Sequence, residues 1–392
     1  VNSTAKVNMP IQFDFIANRI YFGSGMLQRV VPLVAAVGRR ILVVTGRPIQ
    51  DISPLLEQFK IRRMEYSLFG IQQEPTLSMI SRCLQQAREF SPEVIVGIGG
   101  GSAIDAGKAA AILYTNSGPI LDYLELCGAG KPLTNKPLPY IAVPTTAGTG
   151  SEVTKNAVLI VEDTQIKVSL RHEMMLPLAA VIDPLLSHSL PPAATAATGL
   201  DAITQLIEPM VSRKANPFTD ALCRQALKMA TRSLIKAVEH GADAAAREEM
   251  CFAAVCGGLA LANAGLGAVH GFAGVIGGMF PAPHGQICAR LLPQVIRVNV
   301  QALRRRAPNS TSLSQYKLLA KLILDSADAS TEQLVDYFEC LNERLAIPSL
   351  AAFGVTPSHH PSIIRQAQKA SSMKNNPIEL NEEELNEIMD NA

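Results

Sequence analysis

Residues 97–108 read GIGGGSAIDAGK and close an apolar run that begins at Val94. Further on, PTTAGTGSEVTKN at 144–156 follows a second short apolar run, Tyr140–Val143. A strand, a glycine turn and a helix in that order are how α/β proteins hold phosphate. Glycines let the backbone approach an anion that a Cβ would keep away, and the first N–H groups of the helix, with its dipole, attract negative charge. Gly99, Gly100 and Gly101 supply the turn, and Ser102–Lys108 open the helix. The first motif alone could be a plain glycine turn; paired with the second, it points to a nucleotide cofactor. Two familiar forms are excluded. The third glycine of G-x-G-x-x-G would fall at Ser102, and Lys108 is followed by Ala109 where a P-loop needs Ser or Thr.

Outward from these motifs the first half alternates. Apolar, β-rich runs at Ile41–Thr45, Val94–Ile98, Tyr140–Val143 and Ala179–Ile182 are separated by helical periodicity at 74–90 and 103–116. That pattern predicts an α/β region with a largely parallel sheet. After Pro191–Pro192 the strand signals stop, and helical segments are expected at about 195–213, 217–240, 246–263, 285–300, 313–327, 331–346, 361–373 and 381–390. The double proline suits a boundary. The expected organisation is an α/β dinucleotide-binding domain at 1–190 and an all-helical metal and substrate domain at 191–392, with the active cleft between them. The glycine-rich stretch Gly265–Gly278 reads as a loop or a closely packed helix start near a ligand.

Composition narrows the function. The 392 residues, 48% hydrophobic and 18% charged, can bury a large core. With 35 basic and 34 acidic residues there is no electrostatic footprint for nucleic acid or an anionic membrane surface. Small-molecule chemistry is the expectation. Seven cysteines without a C-x-x-C pair argue against a disulfide framework or a zinc knuckle and fit a reducing cytoplasm. No secretion signal and no long uninterrupted apolar run is seen, so no membrane role is expected.

The second half carries one polar constellation. Asp201 and Gln205 lie four apart in TAATGLDAITQLIEP, on one helix face among Leu200, Ile203, Leu206 and Ile207. His270 in GAVHGF and His284 in PAPHGQ are the candidates to join them around a divalent cation. From the residues alone, helix caps and satisfied core histidines remain the competing reading. Neither a G-x-S-x-G elbow nor a Cys/His/Asn signature supports hydrolase chemistry.

Taken together, GGGSAIDAGK, PTTAGTGSEVTKNAV, LPLAAVIDP, LPPAATAATGLDAIT, GAVHGF, PAPHGQICARLLP and NPIELNEEEL resemble the iron-containing, or group III, alcohol dehydrogenase family, collinear from about residue 14 to 390. The resemblance implies an N-terminal α/β nucleotide domain, an all-α C-terminal domain, and hydride transfer between NAD(P)H and a small alcohol, aldehyde or ketone. It implies that Gly99, Gly100, Gly101 and Ser102 wrap the pyrophosphate, that Asp105 lies at the start of the following helix, and that Thr145, Thr146, Thr149, Asn156 and Lys167 line the nicotinamide half. NAD-preferring relatives carry an aspartate where this chain has Gly46. Without that carboxylate nothing repels a 2′-phosphate, and Arg47 could pair with it, so NADPH is expected to serve at least as well as NADH.

The resemblance also implies a metal centre of Fe²⁺ or Zn²⁺ held by one Asp and three His. Asp201, His270 and His284 match three positions and Gln205 stands at the fourth, while a further active-site histidine is replaced by Gly274. An amide oxygen is a weaker donor than imidazole. Two alternatives follow: a metal-independent, maleylacetate reductase-like oxidoreductase in which His270, the catalytic residue, and His284 polarise the carbonyl as hydrogen-bond donors, and a turnover-deficient nucleotide-binding protein of the same fold. Family members are often dimers or larger homo-oligomers, a role in which Gln12–Ile20 with Tyr21–Phe22 would pair strands between copies.

Overall fold

The computed structural model describes residues 12–46, 49–124, 127–164 and 166–392. In chain order the first half contains β1 (Arg19–Phe22), α1 (Val30–Ala35), β2 (Arg40–Thr45), α2 (Ile49–Ile61), β3 (Glu65–Gly70), α3 (Leu77–Phe90), β4 (Val94–Gly99) and α4 (Gly101–Thr115). β5 (Tyr140–Pro144), β6 (Asn156–Val161), β7 (Ile166–Arg171) and β8 (Ala179–Ile182) complete it. Six strands form one sheet in the order β1-β8-β5-β4-β2-β3, every pairing parallel. β4 and β5 are buried at every position, and β2 at all but its first. That is why they read as continuous apolar runs: helices cover both faces of a parallel sheet, so no strand face meets water.

The topology positions the glycine turn. From β2 the chain moves outward to β3, returns to β4 on the other side of β2, and continues through β5 to β8. The direction reverses between β2 and β4, and α/β sheets bind ligands in the crevice at the carboxyl ends of such strands. Register brings Thr45 opposite Ile98 and Gly99 opposite Pro144. Gly46, the triple glycine and the threonine-rich loop therefore emerge side by side.

From Pro192 onward the described residues carry helices and no strand: α5 (Pro192–Val211), α6 (Pro217–Glu239), α7 (Ala244–Ala264), α8 (Ala268–Met279), α9 (His284–Arg306), α10 (Thr311–Ile323), α11 (Thr331–Arg344), α12 (His360–Ala367) and α13 (Glu382–Asp390). Pro192 occupies the first turn of α5, where its missing N–H has no helical acceptor to lose. Among the described residues no single helix is long and apolar enough to cross a membrane.

Of the two readings of the glycine-rich stretch 265–278, the closely packed helix start holds: only the turn at 265–267 is irregular, and α8 follows it. Gly265, at φ +70°, ends α7, while packing outweighs the helix penalty of the later glycines. A Cβ on Gly271 would lie 3.1 Å from Met373 Cε, and one on Gly277 would lie 2.7 Å from Lys167 Nζ. The extended segment expected from Gln12 forms a strand only at Arg19–Phe22. The antiparallel hairpin β6–β7 and the edge strand β3 carried no clear sequence signal, because their half-buried faces mix polar and apolar residues.

Candidate active site

The cradle is built from close backbone approaches. Gly99 has φ +156°, and a Cβ there would lie 2.8 Å from Ala103 Cβ and 3.0 Å from the Gly46 amide nitrogen. A Cβ on Gly101 would lie 2.8 Å from Thr149 Cγ2, and one on Gly100 would lie 3.4 Å from Thr146 Cγ2. The Thr145 amide donates to the Gly99 carbonyl at 2.9 Å. The two motifs that defined the sequence reading thus touch, over the amino end of the 15-residue helix α4, which begins at Gly101 and Ser102. Unpaired N–H groups at such an end fit a pyrophosphate. Gly46 lies exposed at the carboxyl end of β2, and Arg47 lies outside the described residues.

Asp105 faces inward. It accepts from the Val158 amide at 2.9 Å and from the Ser151 hydroxyl, and Lys108 Nζ lies 3.8 Å away. Lys108 in turn donates to Ser151 O at 2.7 Å, Thr154 Oγ1 at 3.1 Å and Asn156 O at 2.7 Å. This buried network ties α4 to the threonine-rich loop and to the first residue of β6, so Asp105 supports the cradle from behind. Lys167 on β7 is buried, paired with Glu74, and reaches α8 at Gly277.

Glu152 shares that interior. Burial pushes its carboxyl up to about 7 from the ordinary 4.5, against the pull of its own backbone amide and of Lys108. A raised acid favours the fold only while protonated: its contribution is whole below about pH 4.5, declines as pH rises, and is gone above about 7. Glu152→Gln should therefore match the wild type near pH 4.5 and exceed it at pH 8 by up to about 3 kcal/mol, the attraction to Lys108 being already contained in the net shift. Urea denaturation at the two pH values checks this; an unchanged difference between the proteins across that range would contradict it.

Opposite the cradle, α5, α8 and α9 aim donors at one point. Asp201 and Gln205 are each 2% exposed, one turn apart on α5. His270 Nε2 lies 3.2 Å and His284 Nε2 3.9 Å from Asp201 Oδ1. The Gln205 amide nitrogen donates to Gly148 O at 3.4 Å, joining this cluster to the threonine-rich loop, while its Oε1 is buried with no hydrogen-bond partner among the described residues. Leaving such an acceptor unpaired is costly, and a cation beside it would satisfy it.

Two residues of this cluster were not singled out in the sequence. Glu208 accepts from the Val269 amide at 2.8 Å and holds His270 Nδ1 at 2.6 Å. That bond keeps a proton on Nδ1, so Nε2, which faces Asp201, is the nitrogen that would give its lone pair to a cation once it has released its own proton. Cys288 Sγ lies 3.6 Å from His284 Nε2 and 3.9 Å from His270 Nε2, and the donors of Asp201, His270, His284 and Cys288 all fall within 4.8 Å of one another. The signal was present as helix spacing: Glu208 is seven residues after Asp201, and Cys288 four after His284.

The electrostatics suit a cation. Burial opposes charge on Asp201, but the His270 hydrogen bond, both imidazoles and Gln205 outweigh it and hold the carboxyl below its usual range. Burial likewise disfavours the Cys288 thiolate, and His284 and His270 overcome it, so the thiol sits lower than usual. One carboxylate, two imidazoles, a sulfur and an unsatisfied amide oxygen fit a divalent Fe²⁺ or Zn²⁺ ion.

Sequence comparison agrees with this geometry. Residues 17–184 match the profile described as iron-containing alcohol dehydrogenase, and residues 195–392 match the C-terminal profile of the Fe-containing alcohol dehydrogenase family. Long-chain-alcohol dehydrogenase 1 of Geobacillus thermodenitrificans is 35% identical, covering 95% of this chain and 94% of that protein. The NADPH-dependent butanol dehydrogenase of Clostridium saccharobutylicum is 32% identical, covering 95% of each. The crystal structure of a 1,3-propanediol oxidoreductase superposes with a TM-score of 0.88 at 32% identity, covering 97% of this chain and 99% of that one. The chain belongs to the iron-containing alcohol dehydrogenase family and is an NAD(P)-dependent oxidoreductase of alcohols and aldehydes.

Proposed function

We propose that this protein interconverts a small carbonyl compound and its alcohol with NADPH serving at least as well as NADH, at a divalent cation held by Asp201, Gln205, His270 and His284. The observation that carries the reading is the direct contact of the two halves of the site, Gln205 on Gly148, which sets the donor cluster against the cradle. In this reading Gly99, Gly100, Gly101 and Ser102 receive the pyrophosphate on the amino end of α4. Thr145, Thr146, Thr149 and Asn156 offer hydroxyls and an amide to the ribose and carboxamide, and the Lys167 ammonium lies between β7 and α8. Asp105 keeps the loop in place.

The dinucleotide supplies the hydride. A divalent cation supplies Lewis-acid polarisation of a carbonyl oxygen, worth several kcal/mol. The protein's part is positional: Asp201 anchors both imidazoles, Glu208 orients His270, and the α8 helix packed on β7 narrows access of water to the cleft. The convergence of donors favours the metal-assisted route over the metal-independent one. Gly274, one turn beyond His270, has no atom within 4 Å of where its Cβ would stand, so the site has room for longer or branched substrates. We assign residues 1–190 and 191–392 as two domains, with β1, one of the two edge strands of the sheet, as the surface that joins copies into a homodimer or larger homo-oligomer.

The use of NADPH rests on Gly46. A Cβ there would lie 3.3 Å from Ile71 O, and beside it a cavity of about 290 Å³ is lined by Gly70, Gln72, Gln73, Met79 and Arg82. Among the described residues no carboxylate lines this cavity, and Arg82 offers a guanidinium to a 2′-phosphate. Steady-state kinetics with a short aldehyde should give kcat/KM for NADPH at least equal to that for NADH, and Gly46→Asp should move the ratio toward NADH by about tenfold or more. A wild-type preference for NADH of about tenfold would contradict the assignment.

A further inference from the structure

We propose that Cys288 ligates the divalent cation as a thiolate, so that the donor set is Asp201, His270, His284 and Cys288, with sulfur in place of the imidazole that Gln205 does not supply. The inference rests on the metal reading above and identifies the strong fourth donor that reading lacks. Bond lengths of roughly 2.0–2.3 Å in a tetrahedral site imply edges of roughly 3.3–3.8 Å between donors. Four of the six edges are 3.2, 3.6, 3.9 and 3.9 Å, and the other two lie within 4.8 Å. A cation at their centre needs the donors to draw together by no more than about 1 Å.

The placement of the sulfur differs from that of the core cysteines. Cys83, Cys223, Cys256 and Cys288 all border hydrophobic clusters, and what sets Cys288 apart is its polar neighbours. Cys288 is fully buried, yet its Sγ has both imidazole Nε2 atoms as polar neighbours. It stands one turn after His284 on α9, so a single rigid helix delivers both donors. Charge points the same way. With Gln205 neutral, Asp201 alone leaves a dication half-neutralised in a buried site, and a thiolate completes the balance. The softer donor also shifts preference from Fe²⁺ toward Zn²⁺. The His284 side chain, 30% exposed, marks the side on which a further position stays open to the cleft.

The test uses the full-length protein stripped with a chelator and reloaded with Co²⁺ or Zn²⁺. Cobalt should bind with a near-ultraviolet thiolate-to-cobalt charge-transfer band that Cys288→Ser abolishes and Cys340→Ser, at an exposed cysteine, retains. Zinc affinity of Cys288→Ser should fall by at least about tenfold, since even outer-shell losses cost that much. X-ray absorption at the zinc edge of the wild type, which needs no variant, should show one sulfur at about 2.3 Å. A bound metal with only nitrogen and oxygen neighbours, or a band that survives in Cys288→Ser, overturns this inference and leaves the metal reading standing. Failure of the wild type to bind either metal overturns both.

Discussion

Asp201→Ala lowers kcat by about a thousandfold or more and strips the protein of its divalent metal, while NADPH binding stays within about twofold of wild type. The reasoning is geometric. Asp201 Oδ1 is the point on which His270 and His284 converge, at 3.2 and 3.9 Å, and it is the carboxylate among the four clustered donors. Without it the two imidazoles lose their common anchor and a dication loses a full negative charge in a buried site. The cradle is untouched, because Asp201 makes no contact with the glycine turn that the structure records. Metal content and stopped-flow NADPH oxidation check this. A variant that keeps its metal and its turnover would remove Asp201 from the reaction centre.

Gly101→Val raises the NADPH dissociation constant by about 100-fold or more, that is by about 3 kcal/mol. Any Cβ at Gly101 would lie 2.8 Å from Thr149 Cγ2 and 3.0 Å from its Oγ1, and a β-branched side chain cannot rotate out of that contact. Either the threonine-rich loop or the first turn of α4 must move, and both belong to the surface a pyrophosphate would meet. Metal binding should be unchanged, which separates this variant from the Asp201 one. Fluorescence titration of reduced dinucleotide measures it; wild-type affinity would show that the turn is not where the phosphates lie.

The sequence disclosed the fold where burial is uniform. β2, β4 and β5 are apolar throughout because both faces are covered, and the glycine turn after β4 is legible because only glycine tolerates the approaches at Gly99 and Gly101. At α8 it left two readings open, because AVHGFAGVIGGM has the composition of a loop as much as of a closely packed helix. There the glycines are contact surfaces against Met373 and Lys167, and tertiary packing overrides local propensity.

The site was half legible for a similar reason. Asp201, His270 and His284 stand out as polar residues in apolar or glycine-rich settings. Glu208 and Cys288 did not, since one reads as an exposed helix carboxylate and the other as a small core residue. Both lie on the faces that Asp201 and His284 define by helix spacing, but only the crossing of α5, α8 and α9 reveals that those faces meet. Asp105 illustrates the converse: the sequence sets it at the start of the helix after the glycine turn but not its partners, Val158 and Ser151, which donate to its oxygens.

Hydride transfer itself tests the central claim most directly: that the glycine and threonine cradle presents a dinucleotide to a carbonyl held at the Asp201 cluster. Metal-loaded protein, NADPH carrying deuterium at the nicotinamide C4, and a short aldehyde should yield alcohol deuterated at the carbinol carbon, with the label absent when Asp201→Ala replaces the wild type. Tight NADPH binding with no label transferred to any aldehyde or ketone would contradict the account.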